Sequence, residues 1–351
     1  MSAPSSEHLR DHEVITRIGV LGAGSWGTAL AKLLADKGYP VQIWAYESDV
    51  VRAINEEHEN AAYLPGFKLP DNLTATGSIK DAVSDKDMIL SVSPSHVLRH
   101  VMSEAAPYIP VGVPIVSASK GIENDTLLLV SEILEEVLPI RCHPYLAYLS
   151  GPSFAKEVAA NMPTLVVIAS YSANLAEKIQ HTFMTDTFRA YTSHDVIGVE
   201  CGGALKNVIA IGAGAVSGMG LQHNSMAAMI TRGLNEITRL AVRKGANPLT
   251  LAGLAGMGDL VLTCTGGLSR NRTVGVKLGQ GQTIEEILAE MKMVAEGVRT
   301  SRSVYDLSRK LQVEMPICEQ VYHVLHEGRP AAEAVRQLLA RDPKQEMRFY
   351  D

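Results

Sequence analysis

The chain has 351 residues, 46% of them hydrophobic, with 32 Lys and Arg against 38 Asp and Glu for a formal charge of −6. That length exceeds one ordinary core and predicts two domains. The acidic balance excludes a general nucleic-acid binder, because no basic excess exists to neutralise phosphates, so the positive charge that an anionic substrate needs must be local.

Residues 1–13 are polar and lack the apolar core of a signal segment; the first 16 read as a disordered arm. A short apolar strand at 18–21 then runs into Gly22-Ala23-Gly24-Ser25-Trp26-Gly27, followed by a helical run at 27–37 and a second strand at 41–44. This is G-x-G-x-x-G in strand–turn–helix context. Gly22 permits the tight turn, Gly24 lets the backbone approach a pyrophosphate, and Gly27 lets the helix pack closely. The helix start offers free N–H groups and a positive dipole end to the phosphates. The segment predicts a bound NAD or NADP. An acid at the second strand's end grips the ribose 2′-hydroxyl in NAD sites. Here Trp44 is followed by Ala45-Tyr46-Glu47. Glu47 either binds that hydroxyl or faces water, and the lack of an acid directly at the strand end favours NADP.

Further strands are predicted at 88–92, 114–117, 145–149, 165–169 and 188–191, with helices at 127–138 and 173–183 among those between them. Such alternation predicts an α/β Rossmann domain over 17–194, with a doubly wound, mainly parallel sheet. Ligands sit at strand carboxyl ends, so Ser93-Pro94-Ser95-His96, Ala118-Ser119-Lys120-Gly121 and Ser150-Gly151-Pro152-Ser153-Phe154 are expected to face the coenzyme.

Residues 195–340 read as helix after helix, and 341–351 as a polar tail. The run at 204–216 is apolar almost all round and rich in Gly and Ala, which predicts a central, closely packed helix. The apolar stretch 205–221 reads as buried helix, not as a membrane span. Helices are also predicted at 224–244, 284–291, 302–311 and 331–340. Lys206 interrupts the central helix, and burying an ammonium costs several kcal/mol unless it is paired or neutralised. A desolvated lysine near another cation would have a lowered pKa, suited to proton transfer; the alternative is a side chain that snorkels to the surface. Ser269 reads as the N-cap of a helix through Leu278, and Ser269-Arg270-Asn271 at its start form a phosphate seat or a simple cap. His194-Asp195 suits capping better than catalysis, and His96 is as well explained as a plain loop histidine. Cys142, Cys201, Cys264 and Cys318 lie far apart without metal-ligand spacing, which predicts no metal site or disulfide framework and suits a cytoplasmic enzyme.

Together, GAGSWGTALA (22–31), ASKGIE (118–123), LSGPSFAKEVA (149–159), CGGALKNVIAIGAG (201–214), GLAGMGDLVLTCTGGLSRNRTVG (253–275) and VAEGVRT (294–300) resemble the bacterial-type, NAD(P)-dependent sn-glycerol-3-phosphate dehydrogenase family. The resemblance implies a Rossmann domain plus an all-α C-terminal domain of the 6-phosphogluconate-dehydrogenase-like type. The implied reaction is reversible reduction of dihydroxyacetone phosphate to sn-glycerol 3-phosphate, with Lys206 as the general acid/base. Implied substrate contacts are Lys120, Gly151, Ser153, Lys206, Asp259, Ser269, Arg270 and Asn271. Implied coenzyme contacts are Ser25, Trp26, Tyr46, Lys120, Ala155, Arg270, Val294 and Glu296, beside Gly22, Gly24 and Gly27. A supply role for phospholipid backbones follows from the family. The expected partner is a small molecule, without nucleic acid or a membrane span, and the exposed ends of a helical domain suit a homodimer. Two rivals remain: a β-hydroxyacid dehydrogenase or ketopantoate-type reductase, which needs no phosphate seat, and a non-catalytic NAD(P)H sensor, which has no reason to bury Lys206 opposite Asp259.

Overall fold

The computed structural model describes residues 14–291, 295–343, 345 and 346. The arm over 1–13, Val294 and most of the end of the tail lie outside the described residues. Chain contacts divide the molecule into two units. One ends at Glu200 and omits Asn124–Leu127; the other takes Asn124–Leu127 and the chain from Cys201 onward.

The first unit holds eight strands: β1 Ile18–Leu21, β2 Val41–Trp44, β3 Leu73–Thr76, β4 Met88–Ser91, β5 Ile115–Ser117, β6 Leu146–Ser150, β7 Thr164–Ala169 and β8 Phe188–Ser193. Its helices are α1 Ser25–Asp36, α2 Ser48–Arg52, α3 Ile79–Val83, α4 Ser95–Ala105, α5 Val130–Val137, α6 Ala155–Ala159 and α7 Ala173–Phe183. The sheet order is β3-β2-β1-β4-β5-β6-β7-β8. Every neighbouring pair is parallel except β6 and β7. On one face Val20, Ile43, Leu90, Val116 and Leu149 form a continuous apolar layer with Leu30, Leu34, Ile179 and Phe183 of α1 and α7. On the other, α3 lies so close to β1 that a Cβ on Gly19 would stand 1.9 Å from the Ala82 carbonyl oxygen. Both faces are covered, so the strands read as short apolar runs. Strand order reverses between β1 and β4, which is where open sheets of this kind bind their ligands.

Two local readings differ from the structure here, and in the second unit the helix expected at 302–311 begins earlier, at Glu296. The sequence did not reveal β3, because Leu73-Thr74-Ala75-Thr76 is half polar at the sheet edge. The helix expected from residue 127 begins at Val130: Leu127 has a left-handed φ of 63°, and Ile122 and Leu129 bridge instead.

In the second unit, α8 Val196–Gly218 is followed by α9 His223–Arg243, α10 Pro248–Leu251, α11 Asp259–Thr265, α12 Arg270–Gly279, α13 Ile284–Glu290, α14 Glu296–Lys310, α15 Pro316–His326 and α16 Ala331–Leu339. No strand occurs in it among the described residues. Asp195 Oδ1 accepts from the Gly198 N–H at 2.9 Å and so caps α8. Residues 201–214 are all buried. Thus α8, long and apolar enough to cross a membrane, is 89% buried over its most apolar window; the other such stretch, Pro248–Thr265, is 39% buried.

Small residues decide how α8 packs. A Cβ on Gly214 would stand 2.1 Å from the Arg272 carbonyl oxygen, and one on Gly275 would stand 1.9 Å from the Ile211 carbonyl oxygen. Gly218 and Gly279 repeat the contact one turn on. Glycines four apart on both helices let α8 and α12 touch backbone to backbone.

Glu236 of α9 is 2% exposed. Its oxygens accept from the N–H groups of Ile317 at 2.7 Å and Cys318 at 3.1 Å, closing the start of α15. Burial pushes its carboxyl up to about 7, against the pull of those two N–H groups. A carboxyl raised on folding stabilises fully below its unfolded value and loses that contribution as pH rises through about 7. The Glu236 share of stability should therefore fall by about 3 kcal/mol between pH 4.5 and pH 8. Chemical denaturation across that range should show this slope in the wild type and a flatter one in Glu236→Gln; parallel curves would remove Glu236 as its source.

Candidate functional site

In the first unit, the predicted coenzyme residues gather at the carboxyl edge of the sheet. Gly22 has a φ of 118°, and a Cβ there would press on the Val92 backbone at 3.0 Å. Gly27 is tighter still: its Cβ would stand 1.9 Å from the Gly22 carbonyl oxygen, so the glycine closes the turn on itself. A Cβ on Gly24, by contrast, meets no atom within 4 Å. Gly24 is also the N-cap of α1, and no side chain caps that helix start. The Trp26 Nε1 beside it is buried without a hydrogen-bond partner. An open glycine, an uncapped helix start and an orphaned indole N–H fit an anionic dinucleotide.

The three post-strand loops stand beside this turn. Ser93 Oγ donates to the Leu21 carbonyl at 3.3 Å, and Ser119 Oγ to the Ser93 carbonyl at 2.6 Å. The Gly151 carbonyl accepts from Lys120 Nζ at 3.3 Å and from Ser153 Oγ at 3.0 Å. The structure thus brings together three residues predicted for substrate. Ala155 opens α6. His96, in the first turn of α4, is exposed. Tyr46 is 86% exposed just past β2.

Sequence reasoning missed the turn that covers the glycines. Asn60, 1% exposed, donates from Nδ2 to the Ala23 carbonyl and to Thr28 Oγ1, both at 2.8 Å. Ser25 Oγ donates to the Tyr63 carbonyl at 2.6 Å. No local pattern announces contacts nearly forty residues apart.

In the second unit, Lys206 is buried and does not extend to the surface. It is 8% exposed and Asp259 is 1% exposed. Lys206 Nζ donates to Asp259 Oδ1 at 2.6 Å and to Thr263 Oγ1 at 2.9 Å. Thr263 in turn donates to the Asp259 carbonyl at 2.6 Å. Asp259 and Thr263 are one turn apart at the start of α11, on one face. A π turn, Leu254–Gly258, leads into that helix; it lies against α8, where a Cβ on Gly202 would stand 2.3 Å from the Ala255 carbonyl oxygen. The partner that neutralises the buried ammonium is therefore the Asp259 carboxylate.

One residue on, Asn207 Oδ1 accepts from Asn271 Nδ2 at 3.0 Å, and Asn271 Oδ1 accepts from the Gly297 N–H at 2.9 Å. The close α8–α12 approach makes this possible. It ties the start of α12 to the start of α14, where Glu296 is the first helical residue. Ser269 Oγ accepts from the Arg272 N–H at 3.2 Å, as an N-cap does. Ser269 still has its own O–H to donate, and Asn271 a second amide N–H. Arg270 is exposed. Asn207 and Thr263 were not singled out from sequence; the available signals were an amide next to a buried lysine and a hydroxyl four residues after an aspartate. Among the described residues, no cluster of three or more His, Cys, Asp or Glu could hold a metal, and all four cysteines are buried and outside any disulfide.

Comparisons with known proteins agree across both units. The family model "NAD-dependent glycerol-3-phosphate dehydrogenase N-terminus" matches residues 17–176. Its C-terminal counterpart matches residues 195–336. A Myxococcus xanthus protein named glycerol-3-phosphate dehydrogenase (NAD(P)+) is 56% identical over 331 residues, covering 94% of this chain and 99% of that one. A Geobacter sulfurreducens protein of the same name is 55% identical over 330 residues, covering 94% and 98%. The crystal structure of glycerol-3-phosphate dehydrogenase from Coxiella burnetii matches with a TM-score of 0.88 at 40% identity, over 93% of this chain and 99% of that one.

Proposed function

Because the chain belongs to the NAD-dependent glycerol-3-phosphate dehydrogenase family, we propose that it interconverts dihydroxyacetone phosphate and sn-glycerol 3-phosphate, with Lys206 as general acid/base. The observation that carries this is the buried trio of Lys206, Asp259 and Thr263. A lysine held this way on an apolar helix has a proton at a fixed atom and a carboxylate to orient it.

Bound NADH or NADPH would supply the hydride. Gly22, Gly24, Ser25, Trp26 and Gly27 would hold its pyrophosphate end, with Tyr46, Lys120, Ala155, Arg270, Val294 and Glu296 as further contacts implied by family resemblance. In the reduction direction Lys206 Nζ donates its proton to the substrate carbonyl oxygen as negative charge develops there. In oxidation it takes the proton back. Asp259 and Thr263 aim the ammonium. Arg270, Ser269, Asn271 and the uncovered N–H groups of α12 seat the phosphate, which carries nearly two negative charges. Lys120, Gly151 and Ser153 are further substrate contacts implied by family resemblance. The product suits a supply role for phospholipid backbones, and four cysteines outside any disulfide accord with a reducing, cytoplasmic setting.

The test is absorbance at the nicotinamide band with the purified chain, reduced coenzyme and dihydroxyacetone phosphate, against the same assay with dihydroxyacetone. Oxidation of coenzyme with the phosphorylated substrate, and far less with the other, is the expected result. Equal rates would favour a reductase without a phosphate seat, and no oxidation with either would favour a sensor.

A further inference from the structure

We propose that Tyr63 is a positioning residue for coenzyme choice: it holds the Glu47 carboxylate where the adenosine ribose binds, so that the chain takes the free 2′-hydroxyl of NAD and disfavours the 2′-phosphate of NADP. The inference rests on the coenzyme reading above and deepens it.

Glu47 lies three residues past β2 and twenty residues after Gly27, the spacing at which an acid meets the ribose in dinucleotide sites of this build. Spacing alone leaves a glutamate free to face water. The structure does not leave it free. Tyr63 Oη donates to Glu47 Oε1 at 2.7 Å. The carboxylate pushes the phenol above its ordinary value, so it stays a donor. Oε2 has no hydrogen-bond partner among the described residues and remains open to accept.

Tyr63 is itself fixed to the glycine turn. Asn60 Oδ1 accepts from the Tyr63 N–H at 3.3 Å, and the Asn60 carbonyl from the Leu64 N–H at 2.8 Å. Asn60 is anchored on Ala23 and Thr28, and the Tyr63 carbonyl accepts from Ser25. One short turn therefore binds the pyrophosphate loop at its base and the Glu47 carboxylate at its tip. The phenol that holds Glu47 thus sits on an anchored turn, and losing that one bond would release the carboxylate.

The charges point the same way. No Lys or Arg stands between Trp44 and Val51, Asp49 adds a second acid, and the first cation, Arg52, comes only at the far end of α2. A 2′-phosphate would bring almost two further negative charges against a fixed carboxylate with no neighbouring cation in that stretch. This departs from the NADP preference that the lack of an acid directly at the strand end favoured, and takes up the alternative that Glu47 meets the 2′-hydroxyl.

The experiment is titration of the intact chain with NADH and with NADPH, without substrate, followed by quenching of the Trp26 and Trp44 fluorescence, together with kcat/KM for each coenzyme. The wild type should bind NADH at least about tenfold more tightly than NADPH. Glu47→Gln should lower that ratio by about tenfold, mainly by tightening NADPH. Tyr63→Phe should lower it by about threefold or more, and should add nothing in the Glu47→Gln background. Merely structural damage would weaken both coenzymes together and leave the ratio in place. A wild type that prefers NADPH or binds both alike, or a Tyr63→Phe ratio equal to wild type, overturns the proposal. A chain that oxidises either coenzyme equally well with dihydroxyacetone phosphate would retain the dehydrogenase reading and lose this one; a chain that binds neither coenzyme loses both.

Discussion

Replacing Lys206 with alanine should lower kcat for dihydroxyacetone phosphate reduction by about three to four orders of magnitude. The change removes both the proton and the charge that meets the developing alkoxide. It also leaves the Asp259 carboxylate, 1% exposed, without its ammonium, and breaking a buried pair in this way costs about 3–5 kcal/mol. Activity loss alone would therefore mix chemistry with stability. Lys206→Met combined with Asp259→Leu separates them. The double variant removes both charges, regains most of the stability and stays inactive. Coenzyme binding, measured by fluorescence, should persist in the single and double variants. Near-normal turnover in Lys206→Ala would remove Lys206 from the mechanism.

The second large effect belongs to Arg270. Its side chain is exposed at the first position of α12, so Arg270→Ala should leave the melting temperature nearly unchanged. A guanidinium bonded to a phosphate is worth about 1.5–3 kcal/mol, which predicts a rise in KM for dihydroxyacetone phosphate of about 10- to 100-fold. The change in kcat should be smaller. Dihydroxyacetone, which lacks the phosphate, should not distinguish the variant from the wild type. An unchanged KM for the phosphorylated substrate would leave α12 without its proposed role.

The glycine turn was legible because its requirements are local. Gly22 must adopt a left-handed φ, and Gly27 must lie against the Gly22 carbonyl, so the residue types record the geometry. Lys206 was legible because an ammonium in an apolar helix needs an explanation wherever it lands. Its partners depend on how α8 meets the start of α11, and that packing is written in Gly202, a residue that reads in sequence only as permissive. The Asn60–Tyr63 turn was the least visible. Its worth lies in bonds to Ala23, Thr28, Ser25 and Glu47, and no periodicity links those positions. The edge strand β3 was missed for a related reason: half its side chains face water, so the apolar run that marks the inner strands is absent.

Lys206 as the proton carrier is the claim from which the proposed chemistry follows. It is tested most directly by adding small primary amines to Lys206→Ala at saturating coenzyme and substrate. Turnover should rise with amine concentration, more for amines that fit the vacated space, while the same amines leave the wild type unaffected. Turnover that stays flat with every amine, or that already equals the wild type without one, would contradict the account.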